Sequence, residues 1–364
     1  MVNRMKIAFI GDSVGFGFYR LGGAESLIRR LSFGLRDLGD SLTYILWGCT
    51  SSEKICDCGL TIVHSKSILA ALSELRRGNY DHVVVVLLRP KHFILFWIFR
   101  VLACRTTVFH VISFSASGSS SVRGDRGLLD SSILCNGKKF VISREALLSS
   151  KDSLLVNLPV PQRYFVQKKP SSGRLKVGFM GRMDVEKGFD IVLDLFKKLS
   201  LSDGIDLFIY TYRWQSHYDS SRLASELEGL EGVSVKVTEH TSFSPSIESE
   251  VGAYLNGCDV IVLPYRSLDR TINPPLLLLE SLAAGCTVIS TDVGDIGKYH
   301  PDPTLLLQVD SFTAEAAEII LRFAESRRDE VTRGGIYRLS QIYREDVAAQ
   351  EFRTNMLSSS QGHG

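Results

Sequence analysis

Residues 175–199, LKVGFMGRMDVEKGFDIVLDLFKKL, contain a strand, a loop and a helix in succession. The run Leu175–Met180 is short and apolar, which is typical of a buried strand. The apolar residues of Phe189–Leu199 recur at helical spacing, which predicts an amphipathic helix with one face in a core. The loop between them therefore places two cations, Arg182 and Lys187, at a strand–loop–helix junction. Two such cations can bind a diphosphate and neutralise its charge as it departs.

The same alternation of strands and helices runs through the chain in two series. It predicts an α/β fold with parallel sheets covered by helices on both faces. The predicted strands are Lys6–Gly11, Leu42–Gly48, Leu60–His64, His82–Leu88, Thr106–Ile112, Lys139–Ser143, Leu175–Met180, Ile205–Tyr210, Val233–Val237, Val260–Pro264, Thr287–Thr291 and Thr304–Val309. The predicted helices are Gly23–Leu38, Ile68–Arg77, Lys91–Ala103, Phe189–Leu199, Asp219–Leu227, Ser246–Leu255, Pro275–Ala284 and Ile336–Met356.

A stretch rich in Pro, Ser and Gly, residues 157–173, follows the last strand of the first series and marks a domain boundary. The length of 364 residues also suits two domains. We predict two Rossmann-like domains, 1–165 and 166–335, and a C-terminal helix and tail, 336–364. Because open sheets bind ligands at the carboxyl ends of their strands, we expect a cleft there.

The composition, 45% hydrophobic and 23% charged, is that of an ordinary soluble globular protein and excludes disorder and collagen. Its apolar runs are far shorter than the roughly 18 residues needed to cross a membrane. No signal-peptide pattern precedes Ile7, and the seven cysteines are odd in number and scattered. We therefore expect a cytoplasmic protein. The first 165 residues carry a net charge of +9 and the remainder −7, which favours an anionic ligand or surface for the first half.

The glycines near the amino terminus discriminate between classes of nucleotide site. Gly11, Gly15 and Gly17 are spaced G-x3-G-x-G, which does not match the G-x-G-x-x-G of dinucleotide sites. Gly22 and Gly23 instead open a predicted helix, where backbone N–H groups and the helix dipole favour a phosphate.

Gly11-Asp12-Ser13 also resembles the nucleophile block of Gly-Asp-Ser esterases, with Ser13 as nucleophile. That family pairs its serine with a downstream Asp-x-x-His, and no histidine of this sequence has Asp three residues before it. An esterase remains a minor alternative.

Residues 264–294, PYRSLDRTINPPLLLLESLAAGCTVISTDVG, form a second strand–loop–helix–strand segment. Glu280 lies on an otherwise apolar helix face, where a carboxylate is costly unless specific donors bond to it. Ligand hydroxyls are suitable donors. Local backbone groups or a lysine are the alternative.

Together these segments resemble the retaining nucleotide-sugar glycosyltransferases of the GT-B fold, specifically glycosyltransferase family four. The resemblance rests on Gly-Gly-Ala-Glu at 22–25, Gly-Arg-x4-Lys-Gly at 181–188 and the block from Glu280 to Gly294. It implies two domains facing across a cleft and a C-terminal helix that crosses back to the first domain. It also implies donor contacts from Gly22, Gly23, Gly181, Asn273, Leu276 and Glu280, and catalytic roles for Arg182, Lys187 and His110.

The resemblance implies transfer of a hexosyl unit from a nucleoside-diphosphate sugar to an acceptor hydroxyl, with no cofactor besides that donor. One position departs from the family. Its E-x7-E motif has a first glutamate eight residues before Glu280, where this sequence has Ile272, and Pro274 and Pro275 then remove two backbone donors. The alternative function is therefore a non-catalytic scaffold that binds a nucleotide sugar or a partner enzyme.

The absence of a D-x-D sequence favours neutralisation by Arg182 and Lys187 over a bridging metal. Three loosely spaced thiols, Cys49, Cys56 and Cys58, lack a fourth ligand, and we interpret them as free cysteines in a loop.

The segment Lys91–Arg105 combines large apolar side chains with cations, a pattern of helices that lie in a membrane interface. A buried helix has the same pattern. With the charge of +9 in this half, the segment favours a peripheral position on an anionic membrane and a glycan or lipid-linked acceptor. We expect no nucleic-acid partner.

Overall fold

The computed structural model describes residues 4–13, 18, 22–86, 107–113, 137–149, 153–165, 173–212, 227, 229–230, 232–238, 242–268, 271–328 and 343–358. The chain divides into two compact units. The first contains residues 1–159 and 341–364, and the second contains residues 160–340. The predicted boundaries, after residues 165 and 335, lie a few residues away from these.

The first unit contains an eight-stranded sheet in the order β3-β4-β2-β1-β5-β6-β7-β8. All neighbouring strands are parallel except β3, which runs antiparallel to β4. The strands are β1 (Lys6–Asp12), β2 (Ser41–Trp47), β3 (Glu53–Asp57), β4 (Leu60–Ser65), β5 (His82–Val86), β6 (Val108–Ser113), β7 (Lys139–Val141) and β8 (Ser153–Leu155). Its first three helices are α1 (Gly23–Asp37), α2 (Ile68–Gly78) and α3 (Arg144–Ser149).

The second unit contains a six-stranded parallel sheet in the order β11-β10-β9-β12-β13-β14. Its strands are β9 (Leu175–Arg182), β10 (Ile205–Tyr212), β11 (Val233–Thr238), β12 (Val260–Leu263), β13 (Thr287–Thr291) and β14 (Leu306–Leu307). Its helices are α4 (Phe189–Leu199), α5 (Pro245–Gly257), α6 (Leu276–Ala283), α7 (Ile296–Tyr299) and α8 (Phe312–Arg328). The predicted α/β class with two Rossmann-like units is therefore confirmed.

Strand β9 and helix α4 are where the quoted sequence predicts them. Val177 and Phe179 on one face of β9 pack with Val192 and Phe196 of α4 in one apolar core. The helix follows Gly188, begins with Asp190 in its first turn and ends with lysines in its last turn, an arrangement that complements the helix dipole.

Several predicted elements differ from the observed ones. Strand β3 was not predicted, because Glu53–Asp57 lacks an apolar alternation, and Cys56 lies on this strand rather than in a loop. The predicted strand Thr304–Val309 is a 3-10 turn, Pro303–Leu305, followed by the two residues of β14. The predicted helix Lys91–Ala103 and all of Asp219–Leu227 except Leu227 lie outside the described residues, as does Lys91–Arg105.

The C-terminal helix α9 (Glu345–Leu357) packs on the first unit, as the resemblance implies. Its predicted start at Ile336 lies outside the described residues, and within them the helix begins at Glu345, with Arg344 as its N-cap. Gly34 of α1 lies directly against Ala349, and an added Cβ at Gly34 would collide with that side chain. The ring of Phe352 lies 4.4 Å from that of Phe140.

A buried ion pair joins α9 to the start of the first sheet. Arg353 donates two hydrogen bonds to the carboxylate of Asp40, at 2.8 and 3.1 Å. The same carboxylate accepts the backbone N–H of Met5 at 3.0 Å. Asp40 is 4% exposed, so its charge depends on these partners.

No helix among the described residues is long and apolar enough to cross a membrane.

We expect Arg353→Met to destabilise the first unit by about 3–5 kcal/mol, because it leaves the charge of Asp40 buried without its partner. Urea unfolding, monitored by hydrogen exchange in peptides of α1 and α9, measures the loss of unfolding free energy. Arg344→Met is the matched control: its partner Asp346 is exposed, and the loss should stay below about 1 kcal/mol. Equal losses in the two variants would contradict this role for the buried pair.

Candidate functional site at the carboxyl edge of the second sheet

The order of strands in the second sheet reverses between β9 and β12. At such a switch point the loops leave in opposite directions and open a crevice outside the carboxyl ends of the strands. The predicted Gly181, Arg182 and Lys187 lie at the end of β9 and in the loop after it. Asn273 and Leu276 lie between β12 and the first turn of α6, and Glu280 lies within α6. The structure thus brings the six residues predicted in this unit to one edge of one sheet.

Asp184 organises the loop after β9. Its side chain is fully buried, and its Oδ1 accepts the backbone N–H of Lys187 at 2.9 Å. Its Oδ2 lies 3.3 Å from Nη2 of Arg182, which is 18% exposed. Both predicted cations are therefore positioned by one carboxylate. Gly181, immediately before them, has φ of +151°, which favours glycine at the strand end.

The pKa of Lys187 lies close to neutral pH. Burial and the adjacent guanidinium of Arg182 lower the pKa of Lys187 to about 7, while Asp184 and Glu186 oppose this change. The ammonium Nζ lies 4.5 Å from the centroid of the Tyr265 ring. Because two neighbouring cations disfavour each other's charge, an anion bound between them would raise this pKa again.

The loops after β9 and β12 are fixed to each other. Gly188 has φ of +68°, and a Cβ on it would lie 1.9 Å from the carbonyl oxygen of Pro264. The backbone N–H groups of Arg266 and Ser267 donate to the carbonyl of Glu186 at 2.9 and 3.4 Å. The guanidinium of Arg266 donates to Asp190 of α4 at 2.6 Å. These contacts fix the loop that carries Arg182 and Lys187, here called the cation loop, against the loop after β12 on the opposite side of the switch point.

Glu280 is 7% exposed on α6. Burial first, and then the negative charge of Glu280, raise the pKa of Tyr265 above the ordinary range, which keeps that hydroxyl neutral. Leu276 opens α6, where first-turn N–H groups lack partners within the helix.

Asn273 has a structural partner. Its Oδ1 accepts the backbone N–H of Asp295, in the loop after β13, at 2.7 Å, and the residue is 1% exposed. Ile272 beside it is 5% exposed, so the position that holds a glutamate in the resembled family is part of the core here.

The remaining predicted residues belong to the first unit. Gly22 is the N-cap of α1, and Gly23 is its first residue. The carboxylate of Glu25 folds back beside Gly22, since a Cβ there would collide with it. An acidic group at this position is typical of helix starts.

His110 lies within β6 and is completely buried. The backbone N–H of Lys138 donates to its Nδ1 at 3.0 Å, and its Nε2 faces Nδ1 of His82 at 3.0 Å. Since Nδ1 accepts a bond, the neutral ring carries its proton on Nε2 and donates it to His82. Burial lowers the pKa of His110 to about 3. His110 therefore lies inside β6 rather than at its carboxyl end, and both of its ring nitrogens have partners within the first unit.

Sequence reasoning missed Asp184 and Tyr265. Asp side chains in loops commonly accept a hydrogen bond from a backbone N–H a few residues further along the chain. Asp184, three residues before Lys187, could have been identified from this tendency. Tyr265 gave no such signal, because an aromatic residue after an apolar strand is usually part of a core.

The residues described offer no support for the esterase alternative. The backbone N–H of Ser13 donates to the carbonyl of Trp47. His64 contacts Glu53, His82 and His110 contact each other, and His300 contacts the carbonyl of Val288.

Within the described ranges, Cys49, Cys56 and Cys58 are free thiols, and no group of three metal-ligating side chains could hold an ion.

Replacing Gly188 with Ala should destabilise the second unit. The positive φ alone costs about 1–2 kcal/mol for a residue with a Cβ, and the collision with Pro264 adds to this. Urea unfolding measures the change. Gly257→Ala, at the exposed end of α5 with no atom within 4 Å of the new Cβ, is the control and should be neutral or stabilise by about 0.4–1 kcal/mol. Unchanged stability in the Gly188 variant would refute the proposed close contact.

Comparison with known proteins finds a family match for the sequence of the second unit. Residues 174–326 match the family model of glycosyl transferases group 1. No curated protein sequence matches the chain.

Solved structures are similar over almost the whole chain. A glycosyltransferase from Rickettsia africae is 12% identical, with a TM-score of 0.64, and the alignment covers 99% of this chain and 100% of that one. HepE from Anabaena, solved with UDP-glucose, is 15% identical with a TM-score of 0.64, covering 98% and 100%. The pneumococcal O-GlcNAc transferase GtfA, solved with UDP and GlcNAc, is 10% identical with a TM-score of 0.67, covering 98% and 99%. The chain therefore has the fold of these glycosyltransferases, and its second unit carries the match to glycosyl transferases group 1.

Proposed function

We propose that this protein is a retaining glycosyltransferase of family four that moves a hexosyl unit from a nucleoside-diphosphate sugar to an acceptor hydroxyl. One observation carries the proposal. Arg182 and Lys187 lie together at the switch point of the second sheet, positioned by Asp184, with the charge of Lys187 balanced near neutral pH. Such a pair suits a ligand with concentrated negative charge that increases during reaction.

The roles of the residues follow from their chemistry. Arg182 and Lys187 bind the diphosphate, and Gly181 leaves room for it beside the strand end. Glu280 accepts hydrogen bonds from the ribose hydroxyls, and Leu276 offers a backbone N–H at the start of α6.

The reaction exchanges one bond for another at the anomeric carbon. The bond from this carbon to the diphosphate oxygen breaks, and a bond to the acceptor oxygen forms on the same face of the sugar. The acceptor's proton passes to the departing diphosphate, whose developing charge Arg182 and Lys187 stabilise without a metal. His110 takes no part in this scheme, because both of its ring nitrogens have partners in the core.

A uridine diphosphate is the first nucleotide to test. HepE was solved with UDP-glucose and GtfA with UDP. Because structural likeness at this identity reports the fold alone, ADP and GDP belong in the same screen.

A non-catalytic scaffold is the second candidate, and two observations favour it. Ile272 is buried, and the amide oxygen of Asn273 is occupied by Asp295. Neither side chain can thus replace the missing glutamate without a rearrangement. Release of nucleoside diphosphate from a panel of sugar nucleotides, with and without acceptor hydroxyls, distinguishes the candidates: binding without release identifies the scaffold.

Calorimetric titration with UDP tests the diphosphate site through its proton balance. At pH 8 the free protein holds Lys187 largely neutral, and the bound diphosphate restores its charge, so binding should take up nearly one proton. Affinity should therefore fall by up to about tenfold for each pH unit above 7. Lys187→Met should abolish the proton uptake and weaken binding at pH 6 more than at pH 9.

Glu280→Gln is the matched control for this titration. It should weaken binding by about 1.5–3 kcal/mol, the value of hydrogen bonds to a charged group, and leave the proton uptake unchanged. Equal affinity for UDP in Glu280→Gln and the unchanged protein would overturn the assignment of Glu280 to the ribose.

We further propose that the enzyme works in the cytoplasm at an anionic membrane surface, in the assembly of cell-surface glycans or glycolipids. The segment Lys91–Arg105 and the +9 charge of the first 165 residues support this. Each cation near such a surface contributes about 1 kcal/mol.

Co-sedimentation with vesicles tests the membrane proposal. Binding to anionic vesicles should exceed binding to neutral ones at low salt and should weaken as salt rises, because a Debye length is about 8 Å at physiological ionic strength. Equal binding to both vesicle types at low salt would leave a soluble enzyme with a soluble acceptor.

A further inference from the structure

The ring of Tyr265 is buried beside Lys187, and its backbone is held by hydrogen bonds. Tyr265 is 3% exposed and follows β12, directly across the switch point from the cation loop. Its backbone N–H donates to Leu263 at 2.9 Å, and its carbonyl accepts the hydroxyl of Thr291 at 2.7 Å. The backbone on both sides of the ring is thereby held, and the ammonium of Lys187 lies 4.5 Å from the ring centroid.

The surroundings of Lys187 act on its pKa in opposite directions. Burial first, and then Arg182, lower this pKa, and the carboxylates of Asp184 and Glu186 raise it. Glu280 and Asp184 act on the other partner, Tyr265, whose raised pKa keeps its hydroxyl neutral. With the pKa of Lys187 at about 7, a small additional interaction decides whether the side chain is charged when a ligand arrives.

We propose that Tyr265 is a positioning residue for Lys187, whose ring face keeps the ammonium charged and aimed across the switch point. A cation within about 6 Å of an aromatic centroid is attracted by the negative face of the ring. In a desolvated site this attraction corresponds to about one pKa unit. The effect on Lys187 itself requires no nucleotide. Its value to catalysis rests on the proposed function.

Substitutions that change the ring's electrons but not its size provide the sharpest test. In the ligand-free, full-length protein, position 265 would carry Phe or phenylalanine with one, two or three ring fluorines. The pKa of Lys187 is then measured from the pH dependence of its acetylation by trace acetic anhydride, read by peptide mass spectrometry. Tyr265→Phe should leave this pKa at about 7, and successive fluorines should lower it, by about one in total. A constant pKa across the series would overturn the proposal.

Tyr265→Leu distinguishes attraction by the ring from simple exclusion of water by the ring. The two explanations predict opposite changes in the pKa of Lys187. If the ring attracts the ammonium, its loss lowers the pKa of Lys187. If the ring only excludes water, its loss admits water and raises this pKa toward the ordinary value for lysine. A rise would overturn the proposal. Thermal unfolding checks that this variant is folded, and the fluorinated series serves where it is not.

UDP affinity separates this proposal from the proposed function. Across the fluorinated series, affinity should fall several-fold at pH 8 and stay nearly constant at pH 5, where Lys187 is largely charged in every variant. A merely structural role for Tyr265 would change both values alike. If no variant binds UDP, ADP or GDP while the pKa of Lys187 follows the fluorines, the proposed function fails and the role of Tyr265 stands.

Discussion

The close approach of Gly188 to the carbonyl of Pro264 is the constraint on which the candidate site depends. A side chain at position 188 would occupy the space of that oxygen, so only glycine lets the loops after β9 and β12 meet. Helix α4 can then begin at Phe189 with its apolar face in the core. The same contact brings Lys187 to the ring of Tyr265, because the two residues are the chain neighbours of Gly188 and Pro264. A packing requirement thus determines the geometry of the charged groups.

Electrostatics at this edge follow from one buried carboxylate. Asp184 bonds to the backbone of Lys187 and lies beside the guanidinium of Arg182, so it positions the two cations without fully neutralising both. Charged groups with a strongly perturbed pKa cluster at functional sites. The lowered pKa of Lys187 beside Arg182 therefore supports the proposed diphosphate site more strongly than the presence of either cation alone.

The fold could be predicted from the sequence where patterns are long and periodic. Strand β9 and helix α4 follow the predicted ranges within two residues, because both bury an apolar face at regular spacing. Strand β3 escaped prediction because an edge strand of charged residues has no buried face. For the C-terminal helix, packing on α1 and the pair Arg353–Asp40 are long-range contacts that no local pattern contains.

For the candidate site, the sequence showed which polar residues to consider, but it did not show which groups they bond to. A histidine in an apolar strand is equally compatible with a ligand contact and with a buried pair, and only the fold shows His110 bonded to His82. In the same way, an asparagine before two prolines suggests a polar contact, whereas the structure places its oxygen on the backbone of Asp295. Glycines were more informative, since Gly181 and Gly188 both have backbone angles that favour glycine.

The difference between Arg182 and Lys187 clarifies why the site needs both. A guanidinium stays charged at any physiological pH, so Arg182 supplies a constant attraction to an anion. An amine in this setting is charged only when the local balance of burial, carboxylates, ring and ligand favours it. In the proposed reaction the departing diphosphate gains negative charge, and each increment raises the pKa of Lys187 further. The attraction by Lys187 is then greater in the transition state than in the complex with the donor, and only an interaction of that kind accelerates the chemical step.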